Sequence, residues 1–172
     1  MQLWLVDLDA DIHAAWHKEF SEFEDVVIRH GDILLVAENT IVSPANSYGW
    51  MDGGIDQHYL DYFGLQLQAR LQAEIDESRG GKLEVGAALL VRTGDQRIPF
   101  LISAPTMVNP GPVGPENAFF AMSAALKVAA LNANLVTKLF CPGLGTGIGG
   151  VDPQLAAREM ANAWRKWVRS SR

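Results

Sequence analysis

Short apolar runs alternate with segments of helical period along most of this sequence, and that alternation most narrows the folds open to it. Residues 3–6, 26–28, 40–43, 87–91, 100–103 and 136–141 read as strands. Asp9 can cap a helix whose apolar positions Ile12, Ala15, Trp16 and Phe20 fall at helical spacing. Leu67, Leu71 and Ile75 share one face of a second helical region. Pro115 suits the first helical position of a segment running to about Leu131 through Met122, Ala125, Leu126 and Ala129. Asp152 followed by Pro153 opens a last helix, with Ala156, Met160, Ala163, Trp164 and Trp167 on one stripe. This order predicts a three-layer α/β/α fold with a mixed, mostly parallel sheet of about six strands. Ligands in such folds bind beyond the carboxyl ends of the strands, so the segments after the strands are where chemistry is sought.

The chain has 172 residues, one domain's worth, of which 48% are apolar and 20% charged. Those values exclude disorder, collagen and coiled coil. Residues 1–172 are expected to form a single domain, with 1–22 a front strand–helix unit and 23–168 the remaining core. Cys141 is the only cysteine, so neither an internal disulfide nor a cysteine-rich zinc site is available. No metal or resident cofactor is expected. No apolar run approaches the ~20 residues that cross a bilayer. The first residues have no basic flank of the kind a signal peptide needs, so a cytoplasmic location is expected.

The net charge of −6 is unevenly spread: residues 1–78 hold 15 acids and three bases, the rest five acids and 11 bases. An acidic total argues against a long nucleic-acid backbone as partner, but not against one small phosphorylated ligand. Arg158, Arg165, Lys166, Arg169 and Arg172 read as the solvated face of a helix whose C-terminal end favours cations, in preference to a binding patch.

After the last strand, residues 142–150 contain five glycines: Gly143, Gly145, Gly147, Gly149 and Gly150. Such a run is costly in backbone entropy. Placed between a strand and a capped helix, it suits an anion held by main-chain N–H groups. Gly145, Gly147 and Gly150 formally match a dinucleotide fingerprint, which requires a further strand and an acid ~20 residues on. Arg172 follows the helix directly, which disfavours a Rossmann dehydrogenase. No Gly-Lys-Ser/Thr follows the glycines, so the nucleoside-triphosphate loop is absent.

The third strand is followed by Ser43-Pro44-Ala45-Asn46-Ser47 and then Asp52-Gly53-Gly54-Ile55-Asp56. Asn46 carries an amide that both donates and accepts. Asp56 falls where a helix should begin. A carboxylate there is stabilised by the helix N-terminus by ~0.3–1 kcal/mol, and it can also orient or activate a water. The second strand is followed by Gly31-Asp32-Ile33, a common turn by itself.

Together and in this order, these segments resemble the macro domain, the ADP-ribose-binding module. The match covers about residues 26–167. The resemblance implies that Asp32 accepts from the adenine amino group and that Ile33 lines the same end. It implies that Gly53, Gly54 and Ile55 hold the diphosphate from one side. The second loop would hold it from the other, through Gly143, Gly145, Thr146, Gly147, Ile148 and Gly149. It places Asn46 at the distal ribose and gives Asp56 the water of a hydrolytic reaction. The implied partners are ADP-ribose or a related small nucleotide and an ADP-ribosylated protein, with no long nucleic acid and no membrane. A binding module without catalysis, or a structural protein of a phage-tail-like branch, are the other implied readings.

Several positions depart from the family pattern. Ser43 stands where an asparagine is usual and Asp52 where a glycine is usual. Gly149 occupies a slot where many members carry an aromatic residue over the distal ribose, which should open that end. The first 60 residues contain only Lys18, so a lysine-dependent hydrolase is disfavoured. His58 reads either as a base beside Asp56 or as a helix-surface histidine. Family members normally finish with a strand and helix that are missing here, while residues 3–20 supply an extra pair at the front. A circular permutation is therefore expected, with β-strand residues 3–6 beside residues 136–141 and Val6, Asp7 and Leu8 near the adenine. No aromatic residue is expected there to stack on the ring.

Overall fold

The computed structural model describes residues 1–170. Its elements are β1 (Gln2–Asp7), α1 (Ala10–Glu19), β2 (Val27–His30), α2 (Ile33–Val36), β3 (Thr40–Ser43) and α3 (Gly54–Phe63), followed by α4 (Leu65–Arg79), β4 (Leu89–Arg92), β5 (Phe100–Ser103), α5 (Glu116–Leu131), β6 (Lys138–Cys141) and α6 (Pro153–Ser170). Among the described residues the six strands form one sheet in the order β2-β1-β6-β3-β5-β4. All neighbours are parallel except β4 and β5. The expected mixed, mostly parallel sheet is what the chain forms.

β1 lies inside the sheet. It pairs with β2 from Trp4↔Val27 to Asp7↔His30 and with β6 from Gln2↔Lys138 to Leu5↔Cys141. The expected neighbourhood of residues 3–6 and residues 136–141 is present as this β1–β6 pairing.

Two apolar layers cover the sheet. On one face Ile12, Trp16, Met122, Leu126, Met160 and Trp164 belong to a core shared by α1, α5 and α6. On the other, Tyr59, Leu67, Leu71 and Ile75 from α3 and α4 pack on Ile41, Leu101 and Phe140. Each such side chain, fully buried, contributes roughly 1.5–3 kcal/mol.

Local chemistry explains where the elements start and stop. Asp9 Oδ1 accepts from the Asp11 N–H and caps α1 as expected. The helical region around Leu67 divides in two because Gly64 takes φ +91° between α3 and α4. Pro115 is the residue before the first turn of α5 rather than its first residue. Asn39, at φ +66°, ties three strand starts together. Its Oδ1 accepts from Thr137 and Lys138 N–H, its Nδ2 donates to Leu135 O, and its carbonyl accepts from Phe100 N–H. β3 and β5 keep the expected bounds, and the other strands shift by one or two residues at one or both ends.

Among the basic residues near the end, Arg165 pairs with Glu22, and Arg158 Nε lies 3.9 Å from Glu19. α6 is thereby fastened to α1, and these two cations belong to a helix–helix contact. Arg172 lies outside the described residues. No helix among the described residues is long and apolar enough to cross a membrane.

Candidate functional site

A cleft of about 1020 Å³ opens along the carboxyl ends of the strands. All thirteen residues singled out from the sequence line it, including Asp32 and Ile33 after β2, Asn46 after β3, Gly53 to Asp56 at the start of α3, and the second glycine loop after β6.

The two glycine segments meet. A Cβ built on Gly53 would stand 2.8 Å from Ile148 Cδ1, and one on Gly54 3.6 Å from the same atom. Gly54 and Gly145 adopt φ +59° and +77°, so each needs glycine for its backbone as well. α3 begins without a side-chain cap, which leaves its first N–H groups to the cleft. Among the described residues no acceptor meets the main-chain N–H groups of Gly145, Thr146, Gly147, Ile148 and Gly149. Gly143 differs, because its N–H donates to Asp7 Oδ2 at 2.9 Å. Gly143 therefore offers a ligand close approach but not its main-chain donor.

Gly149 has a local reason to lack a side chain. A Cβ there would meet the Gly145 carbonyl oxygen at 2.6 Å and Val113 Cγ2 at 3.0 Å. Val113 N–H donates to Gly149 O, which fixes the segment against the loop. An aromatic residue at this position would require a different loop path.

Asp32 caps α2 through its Oδ1, which accepts from Leu34 N–H at 2.9 Å. Asn46 holds its own turn: Oδ1 accepts from Tyr48 and Trp50 N–H, and Nδ2 donates to Trp50 O at 2.8 Å. One amide hydrogen remains for a ligand.

Asp56 lies beneath the α3 N-terminus and is 5% exposed. Ser43 Oγ donates to its Oδ1 at 2.6 Å. Burial pushes its pKa up to about 7, and the Ser43 hydrogen bond opposes that rise only in part. Tyr59, one turn on, donates its hydroxyl to Val42 O and is held well above its ordinary pKa, by burial first and by Asp56 second. His58 lines the cleft as an exposed residue of α3.

The lining contains Asp7, Asp9, Asp32, Asp52, Asp56 and Asp61, with no lysine or arginine. Among the described residues no group of three or more histidine, cysteine or acidic side chains is placed to hold a metal ion. An anion in this cleft would be met by peptide dipoles rather than by side-chain cations.

Of the front-unit residues, Asp7 and Leu8 line the cleft, whereas Val6 is fully buried in the core beside Ile33. Sequence reasoning missed Trp50, Tyr62 and Met107 as lining residues. Trp50 sits between two recognised motifs and Tyr62 lies two turns beyond Asp56, so only the path of the chain brings them to the cleft.

Residues 42–160 match the Macro domain family model. The chain belongs to the macro domain family. Its relatives include a protein of Aquifex aeolicus (strain VF5), uncharacterized, which is 33% identical over 144 residues, 83% of this chain and 82% of that one. Among solved structures, the macrodomain of Mycobacterium tuberculosis DarG superposes with a TM-score of 0.68 at 18% identity, covering 80% of this chain and 88% of that one. Thermosipho africanus DarTG in complex with ADP-ribose superposes with a TM-score of 0.66 at 14% identity, covering 94% of this chain and 50% of that one. At these identities the structural likeness speaks for the macro domain fold.

Proposed function

We propose that this macro domain binds ADP-ribose or an ADP-ribose derivative in the cleft between its two glycine loops. The observation that carries the reading is the convergence of those loops, with five successive N–H groups unaccepted by the protein, at an uncapped helix start. In this reading Asp32 accepts from the adenine amino group with the oxygen that does not cap α2, and Ile33 lines the base. Gly53, Gly54, Ile55, Gly143, Gly145, Thr146, Gly147, Ile148 and Gly149 enclose the diphosphate. Asn46 meets the distal ribose. The DarTG complex with ADP-ribose supports the choice of ligand.

Hydrolysis of an ADP-ribosyl ester or of ADP-ribose 1''-phosphate is the further step this reading allows. Asp56 would place the water and take its proton as the water oxygen bonds to the distal-ribose carbon and the carboxylate or phosphate leaves with the electron pair of the broken bond, with Ser43 holding the carboxyl group in position. Titration calorimetry with ADP-ribose tests binding, and Asp32→Ala should weaken the heat signal. No heat at millimolar ligand would end the reading. Incubation with ADP-ribosylated protein tests turnover, which Asp56→Ala or Asn46→Ala should abolish while binding is largely kept.

The alternative of a binding module without catalysis shares the same cleft and is separated from the hydrolase by the turnover assay alone. A purely structural, phage-tail-like role would suit a cleft filled by side chains, whereas this one is open. We further propose that β1 and α1 take the place of the strand–helix pair that ends other family members, within one domain.

A further inference from the structure

Three of the chain's four histidines stand together, and none of the three lines the cleft. His13 and His17 lie one turn apart on α1, and His30 ends β2. Residues four apart in a helix share a face, the spacing at which paired histidines hold a metal ion. The Nε2 atoms of His13 and His17 are 3.2 Å apart, and their rings meet at 85°. The His30 ring lies 5.2 Å from that of His13, tilted by 32°. His30 Nε2–H donates to Leu8 O at 2.9 Å, so that nitrogen is committed to the backbone after β1. His30 thus braces the His13 ring from the strand side.

Among the described residues none of these histidines forms an ion pair with a carboxylate. His13 is held below the ordinary histidine pKa, by burial first and then by His17 and His30, so it keeps an unprotonated nitrogen at neutral pH. Two ring nitrogens this close either share a proton, one donating to the other, or share a cation. With metal–nitrogen bonds of about 2.0–2.1 Å, their separation subtends roughly 100° at a shared ion. That angle lies between the square-planar and tetrahedral values, both of which imidazole-bound ions adopt.

We propose that His13 and His17 chelate a divalent first-row transition ion through their two Nε2 atoms, with water in its other positions and His30 holding the His13 ring in place. The proton of the Nε2–H···Nε2 contact moves through solvent to Nδ1 of its own ring, so two neutral histidines take up the ion without net proton release. Zinc, nickel and copper are the ions imidazole suits, whereas magnesium and calcium seek oxygen. A lone cysteine excludes a cysteine-rich zinc site and leaves an imidazole pair open. The site is independent of the nucleotide reading.

Calorimetric titration of nickel, zinc and magnesium chlorides into the untagged full-length protein tests this, with His13→Ala, His17→Ala, His30→Ala and His58→Ala variants alongside. Wild-type protein should bind one nickel or zinc ion per chain and no magnesium. His13→Ala and His17→Ala should each weaken binding about tenfold or more, because the second nitrogen binds intramolecularly. His30→Ala should cost less than either, and His58→Ala should stay within about twofold. His17 is exposed and alanine is a good helix former, so His17→Ala keeps the fold, and melting curves check every variant. Added zinc should raise the melting temperature of the wild-type protein but not of His17→Ala. No binding of nickel or zinc at millimolar concentration overturns the proposal, as does full binding by His17→Ala or His13→Ala. Magnesium bound as tightly as nickel also overturns it. His30→Ala costing as much as His17→Ala overturns the two-nitrogen chelate.

Discussion

Ile148 of the second glycine loop rests its terminal methyl on Gly53 of the first, where a Cβ would stand only 2.8 Å away. The two loops thus touch through one branched side chain and one residue without a side chain. The clashing atom is the far end of a side chain that can rotate, and Gly53 has φ −156°, open to any residue. Gly53→Ala should therefore fold normally and turn Ile148 aside. The expected result is a melting temperature close to wild type with ADP-ribose affinity reduced several-fold, read by thermal denaturation and calorimetry.

Gly149→Ala should behave in the opposite way. Its Cβ would meet a main-chain oxygen at 2.6 Å, and a backbone cannot rotate away as Ile148 can. We expect a loss of about 1–3 kcal/mol in unfolding free energy. Denaturant melts of the two alanine variants side by side measure the contrast, and equal stabilities would contradict it.

The Asp56 carboxyl gives the protein a pH signature. With its pKa raised from 3.8 to about 7 by burial, the folded state keeps a proton that the unfolded state has already lost. The stabilisation is complete below about pH 4 and is lost as pH rises to about 7, by roughly 2–4 kcal/mol in all. Asp56→Asn should remove this part of the pH dependence. Unfolding free energies of both proteins at pH 4.5, 6 and 8 check it, and parallel curves would refute it. Ser43→Ala, which deletes the hydrogen bond favouring the charged form, should move the midpoint upward.

Asn46 is a keystone of its turn as well as a candidate ligand contact. Asn46→Ala removes two accepted hydrogen bonds and one donated one, and leaves Trp50 untethered. A cost of about 1–3 kcal/mol is expected. Intrinsic fluorescence provides a second check, since Trp50 should become more exposed and its emission should shift to longer wavelength.

Much of this could be read from the residues because the signals were local. Asp9 announces its helix by capping chemistry, and the glycines announce the loops because Gly54 and Gly145 take positive φ and a side chain at Gly149 would meet the Gly145 carbonyl. Positions whose role depends on long-range geometry could not be read in this way. Tyr62 lines the cleft from α3, and its hydroxyl accepts from Arg97, 35 residues on, which also donates to Leu34 O. Gly143 lies in the expected loop, yet its donor is taken by Asp7, 136 residues earlier. Val6 and Asp7 are neighbours in sequence, but strand alternation sends Val6 into the core while Asp7, at the end of the strand, reaches the cleft.

The interior place of β1 bears on how the molecule is assembled. A ribosome makes residues 2–7 well before residues 138–141, one of their two strand neighbours. Until then that edge of β1 has no mate, and closing so long a loop is slow. Productive folding should therefore await the synthesis of β6, and fragments lacking that strand should be captured by chaperones or aggregate.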